Sequence, residues 1–78
     1  MSTVGVAYAA PSCTDKAESE WMSEDQMRAE MAKLGYSKIK VFQVSGSCYE
    51  IYALTKDGAR AEVYFNPVDG LIVQNNVD

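Results

Sequence analysis

Apolar and polar residues alternate on both sides of the loop Lys56-Asp57-Gly58, and this alternation predicts a β-hairpin over residues 48–70. The two strands are rich in tyrosine, isoleucine, valine and phenylalanine, which are residue types that favour strands. Gly58 can adopt the left-handed backbone conformation that a three-residue hairpin loop requires. A second turn at residues 66–70 ends the hairpin. We therefore expect the rest of the chain to cover or extend these two strands.

The number of residues in the hairpin loop decides which side chains share a face, because side chains alternate along each strand. A two-residue loop would place apolar and charged residues together on both faces. A three-residue loop brings the apolar residues to one face, which holds Tyr49, Ile51, Ala53, Ala61, Val63 and Phe65. The opposite face then holds Glu50, Tyr52, Leu54, Arg60, Glu62 and Tyr64. We predict the three-residue loop, since it gives one continuous apolar face.

Residues 21–35 have the pattern of an amphipathic helix. Ser23, with Gln26 three residues later, has the form of a capping box. Gly35 is a residue type that commonly follows the end of a helix. Residues at helical spacing form one apolar stripe, made of Met27, Met31 and Leu34. Methionines can form an adaptable binding groove, but this spacing favours packing against the sheet.

Two further strands are predicted on either side of the hairpin. Residues 36–45 form the first, and its register is open, since either Ile39 and Val41 or Phe42 and Val44 could face the core. Residues 71–74 form the last strand, followed by a polar end at residues 75–78. This order predicts an α+β fold, with one main helix packed on one face of a three- to four-stranded antiparallel sheet in two layers.

The length and charge of the chain exclude several classes of function. A chain of 78 residues forms one small domain, whose core is marginal without a further cross-link. The net charge of −4 argues against a nucleic-acid partner, which would require a basic patch. No run of about 18 apolar residues is present, so we predict no membrane span. Histidine is absent, which removes the usual general base and the commonest metal ligand.

The interpretation of the two cysteines, Cys13 and Cys48, depends on the compartment. In a cytosolic protein they would be two thiols, whereas in an exported protein they would form a disulfide. Ala7-Tyr8-Ala9 has the A-x-A form of a signal-peptidase site, which favours export. We therefore predict a disulfide. Residues 1–12 are interpreted as a signal-peptide remnant or a disordered tail, and residues 13–78 as the single domain.

The chain resembles the PepSY domain family over residues 22–73. The resemblance depends on Gly35-Tyr36 and on four later segments, which are CYEIYA at 48–53, Asp57-Gly58, EVYFNP at 62–67 and GLI at 70–72. Asn66 and Asp69 depart from the residues commoner in the family. The resemblance implies a secreted or periplasmic bacterial protein, because the family occurs in propeptides of thermolysin-type metalloproteases and in spore and cell-surface proteins. It also implies a role in binding or restraining peptidases, and it brings no catalytic residues.

No constellation in the sequence indicates catalysis, a metal or a cofactor. Glu50 and Glu62 share a face of adjacent strands, but a small open sheet does not offer the cleft that an acid–base pair requires. We interpret them as a solvated face, with Arg60 available as a partner. Two cysteines without a Cys-x-x-Cys spacing and without histidine form a poor metal site. We therefore predict that the protein is not an enzyme and has no cofactor.

The face that carries the tyrosines is a candidate binding face, made of Tyr52, Leu54, Tyr64 and Ile72. Tyrosine is enriched in the cores of protein interfaces. The alternative is that the chain before the helix, residues 13–22, covers this face. Cys48 is predicted on the same side, which favours partial covering.

These observations predict a non-enzymatic, exported protein-binding module that regulates or inhibits a peptidase. Its partner is then another protein, and a second copy of the chain in a homodimer is a further candidate. The alternative function is a carrier or sensor of a small apolar ligand held between helix and sheet. A chain this short has little room for a cavity of the usual ligand size, so the first function is preferred.

Overall fold

The computed structural model describes residues 10–77, which form one α-helix and an open, four-stranded antiparallel sheet of order β1-β2-β3-β4. The predicted α+β class is confirmed. A short 3₁₀ turn, Glu18–Glu20, precedes the helix. The elements that follow are α1 (Glu24–Lys33), β1 (Ser37–Ser45), β2 (Cys48–Leu54), β3 (Arg60–Phe65) and β4 (Ile72–Val77).

Helix α1 begins at the predicted capping box. The Ser23 hydroxyl accepts a hydrogen bond from the backbone N–H of Gln26, and the Gln26 side chain accepts one from the N–H of Ser23. The helix therefore starts at Glu24, directly after the predicted cap. Met31 is fully buried, but Leu34 is 51% exposed, so its place in the apolar stripe was wrong. Leu34 is the residue at which the helix ends, beyond the turn that contacts the core.

The predicted register of β2 and β3 is confirmed. Tyr49 lies opposite Phe65, Ile51 opposite Val63, and Ala53 opposite Ala61. The loop has three residues, because the N–H of Thr55 donates to the carbonyl oxygen of Ala59 at 2.8 Å. Gly58 has a φ of +86°, which is the left-handed conformation that this loop requires.

Strand β1 contains an irregularity that the sequence did not reveal. Four residue steps separate Ser37 from Val41, whereas two separate their partners on β2, Leu54 and Tyr52. Lys38 lies in the irregular segment with a φ of +50°. The added residues bring one member of each predicted pair, Ile39 and Phe42, against the core, while Val41 and Val44 are exposed. Phe42 and Val44 lie opposite Ile51 and Tyr49, on the side of the core, so the second of the two predicted registers holds for the regular part of the strand, although Val44 is exposed.

Strand β4 also differs from its prediction, because it continues through the polar residues to Val77. Tyr64 and Phe65 are adjacent on β3, but their partners Gln74 and Ile72 are two residues apart. Val73 is the extra residue of this bulge. The bulge places Ile72 opposite Phe65, on the side of the core.

The core combines the helix with one side of the sheet. Met27 and Met31 of α1 form a buried cluster with residues of β2 and β3, which are Tyr49, Ile51, Ala53, Ala61, Val63 and Phe65. Partly buried residues pack around the cluster, which are Trp21, Met22, Tyr36, Ile39 and Phe42. The Arg28 guanidinium lies 5.0 Å from the centre of the Phe42 ring, which joins α1 to β1.

The predicted disulfide between Cys13 and Cys48 is confirmed, with a Cα–Cα distance of 5.2 Å. The backbone N–H of Cys13 donates to Ser47 Oγ at 2.9 Å, and Asn66 Nδ2 donates to the carbonyl oxygen of Cys13 at 2.9 Å. These bonds hold the chain before the helix against the turns at one end of the sheet. The predictions for residues 1–9 lie outside the described residues, and the division of the chain at residue 13 stays a prediction.

The segment then passes to the core side of the sheet. The Tyr49 hydroxyl donates to the carbonyl oxygen of Met22 at 2.6 Å, and the Trp21 and Tyr49 rings pack edge to face at 5.3 Å. The N–H of Met22 donates to the carbonyl oxygen of Pro67 at 2.8 Å. The disulfide and these contacts together position the start of α1.

Reducing the disulfide should destabilise the domain strongly. It joins residues 35 positions apart, and closing a loop of that size contributes roughly 3–4 kcal/mol in the chain-entropy treatment. We expect the melting temperature to fall by more than about 10 °C in a thermal melt followed by circular dichroism. The Cys13→Ser variant should melt at the lower temperature with or without reductant. An unchanged melting temperature after complete reduction of the wild type would contradict this role.

Candidate functional site on the outer sheet face

The sheet face opposite the core cluster is called the outer face here. Strand pairing places side chains from all four strands on it, including Val41, Gln43, Cys48, Glu50, Tyr52, Leu54, Arg60, Glu62, Tyr64, Gln74 and Asn76. Glu50 lies opposite Tyr64 and Tyr52 opposite Glu62, as the sequence predicted. The cross-strand neighbours of the two glutamates are therefore hydrogen-bonding side chains rather than aliphatic ones.

A hydrogen-bonded group, called the carboxyl cluster below, occupies the centre of this face. It consists of Glu50 and Glu62 with Gln43, Tyr52, Tyr64 and Asn76. The hydroxyls of Tyr52 and Tyr64 both donate to Glu62 Oε2, at 2.9 and 3.0 Å. Gln43 Nε2 donates to Glu50 Oε1 at 2.9 Å, and Asn76 Nδ2 lies 3.5 Å from Glu62 Oε1. Each glutamate thus has partners on neighbouring strands.

The two carboxyl groups differ in protonation. Glu50 is 3% exposed, and burial raises its pKa, with a further rise from its hydrogen bond to Glu62. The pKa of Glu62 is lowered, chiefly by the hydrogen bond from Glu50 and also by those from the tyrosines. Glu50 therefore keeps its proton to a higher pH than Glu62 does, and Glu62 is the carboxyl that ionises first. The interpretation of Glu50 as solvated was wrong, because its neighbours exclude water from it.

The tyrosines of the cluster serve as neutral donors. The hydrogen bond to Glu62 raises the pKa of Tyr52 to about 12. Burial raises the pKa of Tyr64, again with a contribution from Glu62. Both hydroxyls consequently keep their protons near neutral pH and stabilise the Glu62 anion. The two carboxyls lie in one hydrogen-bonded group, but little of Glu50 is exposed to any substrate.

The structure separates the four residues of the predicted binding face. Tyr52 is 43% exposed and Leu54 is half-buried on the outer face. Tyr64 is 2% exposed, so it cannot contact a partner without local unfolding. Ile72 is exposed but lies on the side of the core, because the bulge at Val73 reverses the predicted alternation. Binding at this face stays a prediction, and its accessible part is the end that carries Tyr52 and Leu54.

The chain before the helix covers the other end of the outer face. The carbonyl oxygen of Pro11 lies 3.1 Å from Cys48 Sγ, and Cys13 is bonded to Cys48. Cys48 and Tyr64 are buried, whereas Tyr52 is not. The predicted alternatives, a covered face and an open face, therefore apply to different ends of the same surface.

An open groove of about 730 Å³ borders the exposed end of the outer face. Its lining includes charged side chains and apolar ones, among them Lys40, Arg60, Glu62, Tyr52, Leu54 and Val77. The sequence predicted little room for a ligand cavity between helix and sheet, and this groove is not such a cavity. The groove opens at the end of the sheet rather than between helix and sheet, where the core is closed.

Sequence reasoning missed the burial of Glu50 and the participation of Gln43 and Asn76. One signal was present, since Glu50 stands between Tyr49 and Ile51 in a strand that is otherwise apolar. The partners could not be assigned because Gln43 lies on the strand whose register was open. Asn76 was assigned to a polar end and not to a strand.

Within residues 10–77, no group of three or more histidine, cysteine, aspartate or glutamate side chains is placed to hold a metal ion. No helix in that part of the chain is long and apolar enough to cross a membrane.

A family model, PepSY_2, described as peptidase propeptide and YPEB domain, matches residues 1–76 of the chain. No curated protein and no solved structure matches the chain.

The Glu50→Gln variant should become more stable relative to the wild type as the pH rises. The pKa of Glu50 in the folded protein lies above its ordinary value of 4.5, so wild-type stability falls as the pH rises from there through the folded pKa. Glutamine retains a donor for Glu62 and has no proton to lose. Urea unfolding between about pH 4.5 and pH 7 measures the difference. Parallel pH profiles for the two proteins would show that Glu50 does not hold the proton.

Glu62→Gln is the matched variant, with the opposite expectation. The pKa of Glu62 is lowered in the folded protein, so its contribution to stability is lost as the pH falls below 4.5. The variant should lose about 1–3 kcal/mol near pH 7, because two tyrosine hydroxyls lose their charged acceptor. Its stability should also depend less on pH in acid than that of the wild type.

The two tyrosines of the outer face should respond differently to truncation. Tyr64→Ser removes a buried ring and should cost about 3–5 kcal/mol in urea unfolding. Tyr52→Ser should cost about 1 kcal/mol, since the ring is exposed and one hydrogen bond is lost. Similar costs for both variants would contradict the division of the face into a buried and an exposed end.

Proposed function

The chain belongs to the PepSY family of peptidase propeptide and YPEB domains, and from this premise we propose that it is an exported, non-enzymatic module that binds and restrains a peptidase. Family membership supports a propeptide-like, regulatory role. The buried state of Glu50 supports the absence of catalysis, because its carboxyl group is enclosed by its partners and is not presented to a substrate.

The Cys13–Cys48 disulfide supports export. Disulfides persist in oxidising compartments, and this one holds the segment before α1 in place. A periplasmic or secreted location provides that condition. An exported peptidase, the proposed partner, would be present in the same compartment.

The observation that carries the choice of surface is the exposed ring of Tyr52 beside the groove. Its hydroxyl is held by Glu62 at 2.9 Å, so the ring is already oriented before a partner binds. Tyrosines of this kind are frequent anchors of interfaces. Lys40 and Arg60 also line the groove, although the whole chain is acidic. This lining suits a partner segment that combines an apolar side chain with a carboxylate.

The proposal includes the two-layer arrangement predicted from the sequence. Helix α1 covers one face of the sheet, and the exposed end of the outer face remains for the partner. The buried end, held by the disulfide, then provides a rigid support beside the docking surface.

A carrier of small apolar ligands is the second candidate, favoured by the volume of the groove, which lies within the range of ligand pockets. The charged side chains that line the groove argue against this second candidate. Lys40, Arg60 and Glu62 place three charged side chains around the space, and an apolar ligand would remove part of their hydration without replacing it. A peptide segment carries polar and charged groups that can replace this hydration, so the protein partner is preferred.

The proposal is tested by inhibition of a thermolysin-type metallopeptidase from which its own propeptide has been removed. The oxidised protein should inhibit cleavage of a peptide substrate, and Tyr52→Ser should weaken inhibition by about tenfold or more. Val44→Ser is the control, because Val44 is similarly exposed, at 50%, but lies outside the groove lining.

Two results would count against the proposal. Inhibition that is equally strong in Tyr52→Ser would place the contact on another surface. An absence of binding, both to this peptidase and to the peptidases of an extracellular or periplasmic extract, would remove the regulatory function itself.

A further inference from the structure

The two edges of the sheet are unlike. On β1, an irregular segment at Lys38 interrupts the strand, and Lys40 adds a second charge. Such irregularities and lysines prevent another strand from pairing with an edge. Residues 70–77, which include all of β4, have neither a charged residue nor a proline. The bulge at Val73 lies near the start of β4, and from Gln74 to Val77 the strand pairs regularly, so this part of the edge lacks the usual protection.

The unprotected edge is also accessible. Ile72, Val73 and Val77 are exposed by 40%, 42% and 51%. Within residues 10–77, no strand pairs with the outer side of β4, since it is the last strand of the sheet order. An uncharged edge with exposed valines is a template for strand addition.

The sequence of β4 indicates which strand it accepts. Residues 73–77 read Val-Gln-Asn-Asn-Val, so apolar ends flank three amide side chains in either direction. A two-fold axis requires that residue i of one copy meets residue j of the other and the reverse. Any antiparallel pairing of β4 with its own copy satisfies this condition, but pairing centred on Asn75 also brings similar residues together, because Val73 then meets Val77 and Gln74 meets Asn76.

The faces of the strand agree with this register. Gln74 and Asn76 lie opposite Tyr64 and Glu62, on the outer face. Asn75 and Val77 lie opposite Val63 and Ala61, on the side of the core. Pairing centred on Asn75 therefore matches amides with amides on one side and valines with valines on the other. It also brings no charged side chains of β4 together, which matters for a chain of net charge −4.

We propose that the β4 edge binds a second copy of this chain, antiparallel and centred on Asn75, so that two four-stranded sheets join into one. Centred on Asn75, a second copy matches valine with valine and amide with amide and places no charge against a charge. This self-complementarity is the reason for choosing a second copy over an unrelated strand. The proposal does not rest on peptidase binding, because self-association is measured without a peptidase.

A charge-swap experiment at Asn75 tests both the surface and the register. Light scattering during size-exclusion chromatography should show a concentration-dependent dimer for the wild type. Asn75→Lys and Asn75→Glu should each weaken self-association by about tenfold or more, because like charges then face each other across the axis. An equimolar mixture of the two variants should form a dimer again. Val44→Lys, on the β1 edge, should associate like the wild type.

Each other outcome overturns the proposal. A wild type that stays monomeric up to about 1 mM excludes the dimer. If the monomeric wild type instead binds an unrelated extended peptide, the β4 edge binds a different kind of partner. Dimers that persist in both Asn75 variants place the interface elsewhere, as does loss of the dimer in Val44→Lys. If the two Asn75 variants are each monomeric and do not form a dimer when they are mixed, the two-fold axis does not pass through Asn75. Circular dichroism of each variant confirms that it is folded.

Discussion

The rest of the structure depends on the register between β2 and β3. The hydrogen bond from Thr55 to Ala59 closes a three-residue loop, and Gly58 supplies the one left-handed residue which that loop needs. A shift by one residue would exchange the two faces of β2 relative to β3. Ile51 would leave the core cluster. Glu50 would enter it and would lie among methionines, which are poor hydrogen-bond partners for a carboxyl group. The loop therefore determines both the core and the hydrogen-bonded face.

The buried acid is a consequence of this register. Glu50 is buried on the outer face, where a negative charge is costly, and this burial raises its pKa, so that Glu62 ionises first. Two tyrosine hydroxyls stabilise the charge on Glu62. Cys48 lies two residues from Glu50 on the same face, and the disulfide holds Cys13 there. The cross-link and the carboxyl cluster thus stabilise neighbouring parts of one surface.

Local rules were sufficient for the parts of the fold that depend on residues close in sequence. The capping box at Ser23 and the three-residue loop are examples, and the disulfide followed from the choice of compartment. The irregularity near Lys38 and the bulge at Val73 were not predictable, since packing against a neighbouring strand produces them. One such bulge reversed the face of Ile72 and misplaced it in the candidate site. The burial of Tyr64 could not be inferred either, because accessibility on the outer face depends on how the distant segment before the helix crosses it.

The two surfaces proposed for binding share side chains. Asn75 and Val77 lie on the β4 edge and also line the groove beside Tyr52. A second copy paired with β4 would therefore form one wall of the groove, and a peptidase segment in the groove would contact the same strand. When two ligands share contacts, each changes the affinity for the other by the same factor. A second copy that narrows the groove would weaken peptidase binding, and one that extends the groove would strengthen it. Because both proposed surfaces include β4, self-association and peptidase binding would be linked through this strand if both take place.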